Sequence, residues 1–167
     1  MLPHTVVFCP SEPGSPAPPW REPARLCAQA GVRVVEPVLP EDEGPAADTP
    51  AARKAHWVAT CAIAIATSGG HAPILLVAHG PTGVMLPALG FAQRAARRGL
   101  HGYVFVDALI PDPETGGGDW PDAPVTYIAS PDAPPDAVLQ AELRGWRIVR
   151  IERADLAQAL EDLLSTD

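Results

Sequence analysis

The stretch Pro73–Leu89, PILLVAHGPTGVMLPAL, decides how this chain folds. ILLVA is an unbroken apolar run, which suits a strand covered on both faces of a parallel sheet. A tight His79-Gly80-Pro81-Thr82-Gly83 follows, and then an Ala- and Leu-rich run of helical character. Strand, sharp turn and helix stand in immediate succession, with no room for a linker between them.

The same alternation continues outward from this stretch. Short β-branched runs predict strands at His4–Cys9, Val32–Glu36, Ile74–Ala78, Gly102–Val106, Val125–Ala129 and Arg147–Ile151. Between them, helices are expected at Glu22–Ala30, Pro50–Thr67, Gly83–Arg98, Asp136–Leu143 and Ala154–Leu164. In the last of these, Leu156, Leu160, Leu163 and Leu164 fall on one face, with Asp155 placed to help cap it. Strands alternating with helices give a three-layer α/β/α domain around a mostly parallel sheet of about six strands. Pro10–Pro19 and Ile110–Pro124 are too rich in Pro and Gly for regular structure and read as loops. Both follow the C-terminal end of a strand, the edge where open α/β sheets bind ligands.

At 167 residues the chain suits one domain, residues 1–167, with a core that needs no staples. Net charge is −8, and the cluster Arg94, Arg97 and Arg98 suits the solvated end of a helix better than a phosphate backbone. Nucleic acid is excluded as a partner on this balance. Three cysteines without CxxC spacing, a start (MLPHTVVF) lacking a charged leader, and the lack of any span-length apolar run point to a cytoplasmic protein. Lys54 is the only lysine, and Ala, Pro and Arg abound, a bias typical of GC-rich genomes such as actinobacterial ones. The histidines have no zinc-ligand spacing, and no P-loop or dinucleotide fingerprint is present, so neither metal nor cofactor is expected.

The Ala78–Gly83 turn has the context of a nucleophile elbow, where G-x-S-x-G lifts a serine above the sheet. In its order of segments the chain resembles the α/β-hydrolase superfamily over most of its length. TVVFCPSEPG is similar to the third strand and oxyanion loop of that fold, and Trp20 through Pro37 to the next helix and strand. VFVDALIP resembles the sixth strand, VTYIASPDAP the seventh with its acid-bearing loop, and GWRIVRIE the last. The resemblance lacks the first two strands, and Asp107–Pro124 is too short for a cap domain. It implies a serine at position 80, where Gly80 stands, and a histidine just beyond the last strand, where Ile151-Glu152-Arg153-Ala154-Asp155 stands. Only the acid has a suitable counterpart, Asp132. With two of three triad members missing, acyl-enzyme chemistry is not expected.

The candidate catalytic residues are therefore His79, Asp107 and Asp132. His79 is a general acid/base beside the elbow, or else a ring packed behind the turn. Asp132 precedes Ala-Pro-Pro and fits a turn as well as an acid; Asp107 closes a strand and fits a cap as well as an acid. Ser11, Gly80, Pro81 and Thr82 are the candidate substrate-binding residues, around an oxyanion pocket formed by backbone donors after Gly80. Thr82 serves equally for local hydrogen bonding and Ser11 for a loop contact. Arg153 and Glu152 read as surface charges, with Arg153 able to hold an anion.

Two functions fit. One is a small-molecule enzyme of bacterial specialised metabolism, working by acid/base catalysis in a cyclisation, elimination or related step. The other is a non-catalytic binding or accessory protein, whose Val32–Glu36 strand, at a sheet edge, meets a second copy or a partner enzyme. Weak hydrolysis through a displaced nucleophile ranks third.

Overall fold

The computed structural model describes residues 3–40, 49–114 and 119–165. Six strands form: β1 Thr5–Phe8, β2 Arg33–Val35, β3 Ile74–His79, β4 Leu100–Val106, β5 Val125–Ala129 and β6 Arg147–Arg150. They pair in the order β2-β1-β3-β4-β5-β6, every neighbouring pair parallel. All six therefore end on one rim. Strand order reverses between β1 and β3, and such a switch point opens a crevice at the C-terminal rim.

Side chains alternate between the faces of a strand, so each central strand feeds two cores. Val6, Phe8, Leu75, Val77, Val104 and Val106 pack with Trp20, Ala24 and Cys27 and with Leu156, Leu160 and Leu164. Those partners belong to or adjoin α1 (Arg21–Gln29) and α5 (Leu156–Ser165). Val7, Leu76, Phe105 and Tyr127 face the other way, onto Trp57, Cys61, Ile65, Leu86, Leu89, Ala137 and Ala141. These come from α2 (Pro50–Thr67), α3 (Leu86–Ala95) and α4 (Pro135–Leu143). Burial on both faces is why ILLVA and YVFV carry no charged residue.

Strand and helix positions follow the sequence reading to within a few residues except near two helix starts. The expected helix Gly83–Arg98 is divided into a 3-10 segment, Gly80–Met85, and then α3. Pro87 lies in the first turn of α3, where its missing N–H costs no helical hydrogen bond, so the α-helix begins there. Its end is set by Arg97, which takes a left-handed φ of 58°. Asp155 lies inside a short 3-10 turn, Arg153–Asp155, with α5 starting one residue later. The two Pro-rich segments are loops, residues 115–118 of the second lying outside the described residues. β2, three residues long, is one edge of the sheet. No helix of the described residues is long and apolar enough to cross a membrane.

One contact is tight enough to test. A Cβ on Gly83 would fall 2.2 Å from the Leu109 carbonyl oxygen, whereas one on Gly99 would meet nothing within 4 Å. Backbone cannot retreat as a flexible side chain can. Gly83→Ala is expected to lose ~1–3 kcal/mol in urea denaturation, and Gly99→Ala to stay within about 0.5 kcal/mol of the parent. Equal stability of the two variants would contradict this packing.

Candidate functional site

The chain leaves β3 at His79 and turns through Gly80, whose φ of +61° is open to glycine and strained for other residues. A Cβ there would meet nothing within 4 Å, so the space above the turn is open. The following Pro81 has no N–H. An oxyanion pocket takes one of its donors from the residue after the nucleophile, and here that donor is missing. The expectation of surviving backbone donors fails at this position. Thr82 is buried, and its hydroxyl donates to the His79 carbonyl at 3.0 Å, the local role open to it from sequence.

His79 is half-buried and meets Trp20 edge-on, the ring centroids 5.9 Å apart. Trp20 is fixed in turn by its indole N–H, which donates to the Cys9 carbonyl at 2.7 Å. Burial pushes the His79 imidazole below its ordinary value, and the Asp107 carboxylate acts in the opposite direction. Its ring nitrogens make no hydrogen bond among the described residues. The ring is therefore a free, largely neutral base at pH 7.

Asp107 follows β4 with a φ of 45°, uncommon for a residue with a side chain. It is held from β5: the Ser130 N–H donates to Oδ1 at 2.7 Å and the Ser130 hydroxyl to Oδ2 at 2.5 Å. Ser130 Oγ also accepts the Asp132 N–H at 3.2 Å, closing a small turn over Ser130-Pro131-Asp132. Asp132 itself forms an ion pair with Arg153, just beyond β6. Both side chains are more than half exposed, so the pair contributes little stability. An arginine thus meets Asp132 in the segment where the resemblance implied a histidine.

These groups share one cleft of about 390 Å³, which His79, Asp107, Ser130, Asp132 and Arg153 line with polar atoms. Ala17, Pro19, Val106, Ile151 and Leu156 supply its apolar walls. Its size suits a small organic molecule. The other candidates lie elsewhere. Ser11 donates to the Pro16 carbonyl at 2.6 Å and borders a larger groove of about 970 Å³ along the Pro-rich loop and α1. That groove contains none of His79, Asp107 or Asp132. Pro81 is exposed, Thr82 is buried, and neither lines the smaller cleft.

Sequence reading overlooked Ser130 and the supporting ring of Trp20. Ser-x-Asp at a strand end is a side-chain turn signal, but its partner Asp107 is 23 residues away and on another strand. Cysteine supplies no alternative nucleophile: burial raises all three thiols, Cys27 to about 11 and Cys61 to about 12. Among the described residues no group of three His, Cys, Asp or Glu is placed to hold a metal ion.

No protein-family model matches the chain, and no curated protein matches it by sequence. Solved structures do. A structure from Xanthomonas campestris pv. campestris, described as a hydrolase of the alpha/beta superfamily, is similar with a TM-score of 0.65 and 11% identity, over 98% of this chain and 96% of that one. The RedJ thioesterase of the prodiginine biosynthetic pathway in Streptomyces coelicolor is similar at 0.61 and 14%, over 96% and 84%. A hyperthermophilic esterase from Pyrobaculum calidifontis is similar at 0.54 and 14%, over 98% and 75%. At these identities the likeness is one of fold.

The His79 environment has a measurable signature. In an NMR titration its midpoint should fall below 6.5, and Asp107→Asn should lower it further by removing the field that raises it. The unfolded chain then binds the proton first. Stability owed to neutral His79 is complete above pH 6.5 and is lost as pH falls through the folded value. His79→Gln should flatten that part of the stability profile. A midpoint above 6.5, or an upward shift in Asp107→Asn, would contradict the geometry.

Proposed function

We propose that this α/β-hydrolase-fold chain binds a small organic molecule in the 390 Å³ cleft and shifts a proton on it, without forming a bond to the protein. One observation carries the reading: His79, whose ring nitrogens make no hydrogen bond among the described residues, lines the same cleft as Asp107, which Ser130 holds through two hydrogen bonds. His79 takes a proton from one atom of the bound molecule, Asp107 stabilises the imidazolium, and the proton returns to another atom. Net, one proton moves and nothing is left on the protein. Cyclisations, eliminations and isomerisations contain such a step. Such a step needs no serine nucleophile, and Gly80 supplies none.

Bacterial specialised metabolism is the setting we favour. Support comes from the Arg-, Ala- and Pro-rich composition and from the fold-level likeness to RedJ, a thioesterase of prodiginine biosynthesis. A second reading, a ligand-binding accessory protein without turnover, is favoured by Pro81, which removes a donor that would stabilise a developing oxyanion.

The test is proton exchange on simple ketones, β-keto esters and β-hydroxy thioesters in deuterium oxide, followed by mass spectrometry. Deuterium wash-in should be catalysed, and should fall about 10²-fold or more in His79→Gln, the usual size of a general-base contribution. Asp107→Asn should lower it as well. A serine-directed fluorophosphonate should leave the chain unlabelled. Saturable ligand binding with no exchange would favour the accessory reading; undiminished exchange in both variants would end the His79 assignment.

A further inference from the structure

The charge balance of the cleft selects among ligands. Three charged side chains line it: Asp107, Asp132 and Arg153. Asp132 and Arg153 already neutralise each other at the mouth. Asp107 has no cation beside it among the described residues; its partners are the Ser130 N–H and hydroxyl, one on each oxygen. An ionised carboxylate has about four lone-pair sites, so two hydrogen bonds leave it with acceptor capacity. His79 lines the same cleft, and burial lowers its affinity for the proton that would make it a counter-charge.

We infer that the molecule taken by this cleft carries a primary ammonium group on an apolar body, the ammonium meeting Asp107 and the body lying against Val106, Ile151 and Leu156. This rests on the cleft being the small-molecule site proposed above. An ammonium brings three donors and one positive charge to a carboxylate that has spare acceptors and no counter-charge. A ligand carboxylate in the same place would face Asp107 with like charge. A neutral hydroxyl would gain a hydrogen bond without the charge term. The apolar walls leave few other polar groups to satisfy, so the remainder of the ligand is hydrocarbon-like.

Three matched probes decide the matter: 2-phenylethylamine, 2-phenylethanol and phenylacetate, each titrated into the whole chain at pH 7.5 while the His79 ring resonance reports occupancy of the cleft. The amine should bind at least roughly tenfold tighter than the alcohol, the usual scale of a charge-assisted hydrogen bond, and phenylacetate weakest. Asp107→Asn keeps the acceptor for the Ser130 N–H and should erase the amine's advantage. Asp136→Asn, an exposed acid on α4, should preserve it. If the alcohol or the acid shifts His79 with affinity equal to the amine's, the ligand class is overturned while the cleft remains a small-molecule site. If the amine's advantage survives in Asp107→Asn, the inference also fails. If none of the three perturbs His79, the inference and the proposed function fall together. The ligand comparison on the unaltered chain stands even where a variant does not fold.

Discussion

The exit of β3 and the exit of β4 are clamped together, and the site depends on that clamp. The Leu109 N–H donates to the Gly80 carbonyl at 3.0 Å, and the Leu109 carbonyl lies where a Cβ on Gly83 would need to be. The two loops meet backbone to backbone at Gly80 and Leu109. Because β3 and β4 are adjacent and parallel, the clamp holds His79 and Asp107 at the same height on one rim. Ser130, from the next strand, then fixes the Asp107 carboxylate through two hydrogen bonds. Groups held by strand ends and backbone contacts keep their geometry without a ligand, which is what proton transfer demands of a base and its partner.

The residues that stand where the resemblance implied a triad are consistent with the proposed function. Glycine at position 80 accepts the left-handed turn without strain, so the elbow persists without a nucleophile. Proline at position 81 removes the donor that would matter only if an oxyanion formed. Arginine at position 153 cannot act as a base near neutral pH, but it balances the charge of Asp132. On the proposed reading, these residues leave a cleft whose Asp132 is held in an ion pair and whose base is His79.

Much of the fold was legible because its signals are local. Apolar runs of the right length, Pro–Gly loops and leucines at helical spacing placed the strands and helices to within a few residues. The boundary of α3 was not, because Pro87 looks like a residue inside a helix until it is seen that the preceding turn winds as 3-10. The site divides along the same line. His79 ends β3, Asp107 follows β4 and Asp132 lies in the turn after β5, and the C-terminal ends of parallel strands share a rim, so sequence alone gathers them there. Ser11 and Thr82 were indistinguishable from ligand contacts because their partners, the Pro16 and His79 carbonyls, are backbone atoms that any loop could offer. Ser130 escaped notice for the opposite reason: its role comes from a residue on a neighbouring strand, and pairing between strands is not written in either segment. The missing N–H of Pro81 is a property of the residue itself and was open to sequence reading, which instead counted on backbone donors after Gly80.

The two opposing influences on His79 bear on how such a cleft would work. Burial lowers its proton affinity and Asp107 raises it. A cation bound at Asp107 offsets the raising influence, so the occupied cleft holds more of its histidine in the basic form but makes that base weaker. General-base efficiency is greatest when these effects balance near the working pH. By thermodynamic reciprocity, protonating His79 must weaken the hold on the cation by the same factor. On the proposed reading, base strength and cation binding are therefore set against each other at Asp107, and a proton passed to His79 and then returned leaves that balance unchanged.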